Sequence, residues 1–169
     1  MRILIDLQGA QCDSRFRGIG RYSLSLALAM ARNAGEHEIW LALSAAFPQS
    51  ILDLRHAFSD LIPQERIRVF SIPQPTAEVE PANGWRARAA EIIREEFLES
   101  IQPDVIHIPS LFEGYGDDAV ASLGVCTSGY KTAVTLHDLI PLLDQASYLP
   151  NPIIRDYYFR KIDSIKHAG

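Results

Sequence analysis

The sequence predicts an α/β fold, a Rossmann-like parallel β-sheet with helices on both faces. Three observations carry that expectation. Short apolar runs such as Ile3-Leu4-Ile5, Glu38 to Ser44 and Val105-Ile106-His107-Ile108 read as buried strands. Longer Ala-, Leu- and Glu-rich stretches with helical spacing stand between them. Gly, Pro, Asn and Asp cluster where one kind of segment gives way to the other.

The first strand, Ile3-Leu4-Ile5, ends at Asp6, and a loop runs from Gln8 to Gly20. Arg21 to Gly35 follows as a helix, with Gly35 as its stop, and Glu38 to Ser44 is the second strand, completing a βαβ unit. Pro48 to Asp60 reads as a helix opened by its proline, and Arg66 to Phe70 alternates like a strand. Ile72 to Gly84, with its prolines and glutamates, reads as an exposed loop. Trp85 to Ile101 is a helix with Ile92, Ile93, Phe97 and Ile101 as its apolar stripe, and Glu91, Glu95, Glu96 and Glu99 balance its arginines on a solvated face. Pro103 turns the chain into the strand ending at Ile108. Pro109 to Tyr130 is a Gly-, Ser- and Asp-rich loop with room for a short helix. Thr132 to Leu136 is the next strand, ending at His137-Asp138. A proline-punctuated loop reaches Pro152, and Ile153 to His167 is a last helix with alternating charge on its outer face.

Composition narrows the class. The chain has 169 residues, 47% hydrophobic and 22% charged, which excludes a disordered chain and predicts one domain over residues 1–169. Sixteen Lys and Arg against twenty-one Asp and Glu give a net charge of −5, which argues against a nucleic-acid partner. Cys12 and Cys126 are far apart, so neither a disulfide framework nor a zinc site is readable, and a reducing cytoplasm is the expected compartment. The first apolar run ends at an acid, unlike a signal peptide, and no stretch approaches the roughly 18 apolar residues of a membrane span.

In such sheets, ligands sit beyond the carboxyl ends of the strands. Three long loops, Gln8 to Gly20, Pro109 to Tyr130 and His137 to Pro150, all follow strands and converge on that edge. In Arg17-Gly18-Ile19-Gly20-Arg21-Tyr22 the glycines admit close backbone approach, the following helix offers free N–H groups, and the arginines suit phosphate. A plain turn into the helix explains the glycines equally well, and the dinucleotide pattern GxGxxG is not met. His137-Asp138 ends an apolar strand at the ligand edge; His137 can bond a substrate oxygen or move a proton, or simply be held by Asp138 or a loop carbonyl. Glu113, Tyr115, Asp117 and Asp118 are groups that bond sugars or cations, yet without tight metal-ligand spacing they also read as a solvated acidic loop. Glu113 and Tyr115 are the expected acceptor contacts in that loop. His107, between two isoleucines, reads as a satisfied core histidine.

Taken together, these segments resemble the N-terminal domain of family 4 retaining glycosyltransferases of GT-B fold, over nearly the whole chain. The marks are Arg2-Ile3-Leu4-Ile5-Asp6, Arg17-Gly18-Ile19-Gly20-Arg21-Tyr22, Asp104-Val105-Ile106-His107, Ser110-Leu111-Phe112-Glu113-Gly114, His137-Asp138-Leu139-Ile140-Pro141 and Tyr157-Tyr158-Phe159-Arg160-Lys161. The pattern looks most like bacterial mannosyltransferases that assemble O-antigen or other surface polysaccharide. The resemblance implies two Rossmann-like domains facing a cleft, the N-terminal one holding the acceptor and the C-terminal one the nucleotide sugar.

It places Arg17, Gly18, Ile19 and Gly20 against the donor diphosphate, with Gly20 where the loop nears the acceptor. Gly18 matches the family loop's second glycine, while Arg17 stands where many members have the first. Arg21 and Tyr22 fall on the acceptor side, and His137, followed by Asp138, matches the histidine that touches the donor sugar. No metal and no cofactor is implied. The implied partners are a GDP- or UDP-hexose and a saccharide or lipid-linked acceptor, with peripheral contact to the inner membrane through that acceptor. The donor-binding domain, with its paired glutamates, is expected outside this chain, so the isolated fragment is expected to fold but not to catalyse transfer. Two other classes stay open: another Rossmann-type nucleotide-dependent enzyme, such as an oxidoreductase or epimerase, and a non-catalytic flavodoxin-like binding module.

Overall fold

The computed structural model describes residues 1–126 and 129–169. Five strands, β1 (Arg2–Asp6), β2 (Glu38–Ser44), β3 (Ile67–Phe70), β4 (Val105–Ile108) and β5 (Lys131–Val134), form one sheet in the order β3-β2-β1-β4-β5, every pair parallel. The helices are α1 (Gly18–Arg32), α2 (Pro48–Ala57), α3 (Gly84–Ser100), the single turns α4 (Ile140–Leu143) and α5 (Gln145–Tyr148), and α6 (Pro152–Ile165). Ile5, Leu41, Leu43 and Ile67 point to one face, where Ala27 and Ala31 of α1 and Leu54 of α2 cover them. Leu4, Ala42, Ile106 and Ile108 point to the other, under Leu98 of α3 and Ile165 of α6. Adjacent residues of one strand thus serve opposite cores, which is why the central strands read as continuous apolar runs. The expected α/β class, with helices on both faces, is what the chain adopts.

Several local expectations are corrected. The loop from Gln8 to Gly20 is wound into two 3₁₀ turns, Gln8–Ala10 and Asp13–Phe16, and α1 starts at Gly18, so the glycine motif is the helix's own first turn. β5 ends at Val134, three residues before His137. The expected apolar stripe of α3 is turned outward in part: Ile92 and Ile93 are 45% and 42% exposed, while Glu91, Arg94 and Glu95 are buried. On α6 the outer face carries Arg155, Asp156 and Asp163 as expected, but one charge of the helix, Lys161, is drawn in and only 1% exposed.

One cause explains both reversals. Much of the segment after β4 is not exposed: residues 109–111, 113–114 and 119–123 are buried, no helix forms in 109–126, and Thr127 and Ser128 lie outside the described residues. A buried loop must have its backbone carbonyls bonded. Three consecutive carbonyls are met by three buried side chains from three elements. Gln8 Nε2 donates to Val120 O at 2.7 Å, Lys161 Nζ to Ala121 O, and Arg94 Nη1 to Ser122 O at 3.1 Å. Arg94 also pairs with buried Asp6 at the end of β1, its Nε 2.7 Å from Oδ2. Hydropathy alone selects the wrong face of α3 because the loop needs donors there.

Burial pushes the Lys161 ammonium down from 10.5 to about 8, against the opposing pull of Glu91. The folded chain therefore binds fewer protons than the unfolded chain between those values, so this group's contribution to stability rises with pH across that window. Relative to Lys161→Met, the wild type is expected to gain about 1–2 kcal/mol of unfolding free energy between pH 7 and 9.5. Urea denaturation at the two pH values measures it, and a constant difference between the proteins would refute the assignment.

Candidate functional site

Because β1, β4 and β5 are neighbours and parallel, the segments that follow them meet at one edge of the sheet. They enclose a cavity of about 340 Å³. Ile19 from the first segment, Ser110, Phe112 and Tyr115 from the second, and His137 and Asp138 from the third all line it. The convergence read from the sequence therefore exists. The sequence reading did not anticipate the remaining wall: Tyr157 and Tyr158, with Ile154, come from α6. The available signal was Ile154, Tyr157, Tyr158 and Lys161 at i, i+3, i+4 and i+7, one face of a helix.

His137 is exposed at the cavity rim and fixed from two sides. Its Nε2 lies 2.9 Å from Pro109 O, and Tyr22 packs edge-on against its ring at 5.3 Å and 87°. A carbonyl only accepts, so Nε2 carries the proton, and in the neutral ring Nδ1 is left as an acceptor for a hydroxyl. Asp138 does not hold His137; its Oδ1 accepts from Ile140 N at 2.9 Å, at the first residue of α4. Tyr115 is half-buried and packs on Tyr157 at 5.3 Å. His107 is only half satisfied, since Nε2 meets Thr135 Oγ1 at 3.2 Å while buried Nδ1 has no partner, and burial pushes its pKa down.

Arg17 is the N-cap residue of α1 and makes no side-chain cap bond, so that end keeps the partial positive charge of a helix N-terminus. Arg17, Gly18 and Arg21 are exposed, and neither arginine is in an ion pair among the described residues. The two glycines differ. A Cβ on Gly18 would meet open space, whereas one on Gly20 would sit 2.3 Å from Ser14 O and 2.5 Å from Arg15 Cα. Gly20 is there for close packing, and Gly18 has no packing reason of its own.

Glu113 is 6% exposed, so it is not part of a solvated acidic loop. Its oxygens accept from Ser110 Oγ at 2.7 Å, Ser14 Oγ at 2.9 Å and Cys12 Sγ at 3.2 Å. Burial pushes its pKa up, and the three donors pull it down. Cys12, Glu113 and Asp117 offer ligand atoms within 4.8 Å of one another. Burial first, then the charges of Glu113 and Asp117, push the Cys12 thiol far up, so it keeps its proton and donates. Hydrogen-bond donors thus already occupy the Glu113 carboxylate that a cation would need.

The chain matches Serotype-specific mannosyltransferase WbdA of Escherichia coli at 37% identity over 169 residues, 99% of this chain and 20% of that protein. The chain is a relative of a bacterial mannosyltransferase. Two further Escherichia coli proteins of that name are each 34% identical over 141 residues, 83% of this chain and 17% of theirs. The chain thus spans about one fifth of the length of the curated relatives it matches. No family model matches it. Among the described residues, no helix of this mannosyltransferase relative is long and apolar enough to cross a membrane.

Proposed function

We propose that the chain is the acceptor-side domain of a retaining glycosyltransferase of GT-B fold. The enzyme moves a hexose, mannose first among the candidates, from a GDP- or UDP-sugar to a saccharide or lipid-linked acceptor in surface polysaccharide synthesis. The donor-side domain is proposed to lie outside these 169 residues. The observation that carries the reading is the match to WbdA along 99% of the chain. The cavity supports it: aromatic walls suit the C–H faces of a pyranose, with the polar groups of His137 and Asp138 at the rim.

The residues then have distinct tasks. Retaining transfer builds positive charge at the anomeric carbon and negative charge on the leaving diphosphate. The first turn of α1, with Arg17, stabilises that diphosphate, and Arg21 stands on the acceptor side. His137 orients the hexose through Nδ1. Tyr22 and Tyr115 bound the acceptor. Work takes place at the cytoplasmic face of the membrane, reached through the acceptor.

The test is a transfer assay with the complete protein, GDP-mannose and a panel of UDP-hexoses, and a mannose-terminated saccharide. One donor is expected to extend the acceptor, with the donor's anomeric configuration kept in the product by NMR. Inversion would overturn the retaining assignment, and no incorporation from any donor would overturn the transferase reading.

A further inference from the structure

Glu113 is surrounded by cavity-lining residues, Ser110, Phe112 and Tyr115, yet is not itself one of them. Its carboxylate turns the other way. One oxygen accepts from Ser110 in its own segment, and the other from Ser14 and Cys12 in the segment after β1. Its backbone carbonyl accepts from Tyr157 OH at 2.9 Å, on α6. Residue 113 therefore ties together the segment after β1, the segment after β4, and α6.

A second contact passes the restraint onward. Ser14 belongs to the turn Asp13–Phe16, and the backbone of that turn lies so close to Gly20 that no Cβ fits between them. The first turn of α1 rests on the segment that Glu113 holds. That turn carries Ile19 into the cavity wall and Tyr22 against the His137 ring. Gly9 closes the same junction, where a Cβ would meet Ser23 Oγ at 3.2 Å and Ser110 Cβ at 3.3 Å.

We propose that Glu113 is a positioning residue rather than an acceptor contact: its carboxylate latches the segment after β1 onto the segment after β4, and so sets the first turn of α1 and Tyr22 against His137. The proposal rests on the transferase reading for its kinetic consequence, but its structural consequence stands apart.

Two readouts test it on Glu113→Ala, Glu113→Gln and Ser14→Ala in the complete protein. Amide hydrogen exchange over residues 12–22 is expected to accelerate about tenfold or more in Glu113→Ala, with β2 and α2 unchanged. Turnover is expected to fall about tenfold or more while the acceptor KM moves less than about twofold. Glu113→Gln keeps an acceptor oxygen for Ser14 and can donate to Ser110 Oγ, so it is expected to stay within about threefold of wild type in both readouts. Unchanged exchange in Glu113→Ala, a raised acceptor KM with unchanged turnover, or a Gln variant as impaired as the Ala variant would each overturn the latch. If Glu113→Ala does not fold, Ser14→Ala decides on the same readouts: faster exchange over 12–22 supports the latch and unchanged exchange overturns it. If the wild type transfers no hexose, the transferase reading fails, and the exchange measurement still decides the latch.

Discussion

Arg94→Met is expected to lower the unfolding free energy by about 3–5 kcal/mol, because it leaves a buried charge without its partner. Arg94 is fully buried, its Nε bonds Asp6 Oδ2 at 2.7 Å, and Asp6 is itself only 4% exposed. The same side chain bonds Ser122 O, so the substitution also strands a carbonyl of the buried loop. Met keeps most of the volume, which separates the electrostatic loss from a cavity. Pairing it with Asp6→Asn removes the stranded charge, and an Asn oxygen in place of Asp6 Oδ1 still accepts from Gln8 N and Nε2. The double variant is therefore expected to recover part of the loss. Chemical denaturation of the three proteins measures this; a single variant within about 1 kcal/mol of wild type would show that the pair and its carbonyl contribute little.

The second large effect separates the two glycines at the start of α1. Gly20→Ala drives a Cβ into the backbone of Ser14 and Arg15, which cannot swing aside as a side-chain tip would. Overpacking of this kind costs about 1–3 kcal/mol, and relief requires the turn Asp13–Phe16 to move away from Glu113. Loss of both stability and turnover is expected. A Cβ at Gly18 meets nothing within 4 Å, and valine is no poorer a helix former than glycine, so the fold of Gly18→Val is expected to be intact. If the diphosphate approaches this backbone, Gly18→Val raises the donor KM about tenfold or more while leaving the acceptor KM unchanged. A Gly18→Val enzyme with wild-type donor kinetics would make the motif a turn and nothing more.

The contrast shows what was legible in the sequence. The strand–helix alternation and the three segments at the carboxyl edge could be read because local periodicity and turn residues report them directly. Gly18 and Gly20 could be found but not told apart, since the reason for Gly20 is a backbone contact with Ser14. Glu113 was legible as a polar residue near the site. Its inward direction was not, because its partners Cys12 and Ser14 lie about a hundred residues earlier in the chain. The inward faces of α3 and α6 were hidden for a related reason. Arg94 and Lys161 are buried by the needs of residues 120–122, and no hydropathy pattern encodes an unbonded carbonyl. Tyr157 and Tyr158 carried the spacing of a buried helix face, but joining that face to the cavity needed the position of α6 beside the segment after β4.

The most direct test of the central claim, that the cavity beside His137 receives the transferred sugar, is the turnover of His137→Ala in the complete protein, measured beside its melting temperature. His137 is exposed at the rim and its known protein contacts are Pro109 O and Tyr22, so the variant is expected to fold as the wild type does. The account predicts turnover lowered at least tenfold, about 1.4 kcal/mol of transition-state stabilisation, at an unchanged melting temperature. Wild-type turnover in the folded variant would contradict it.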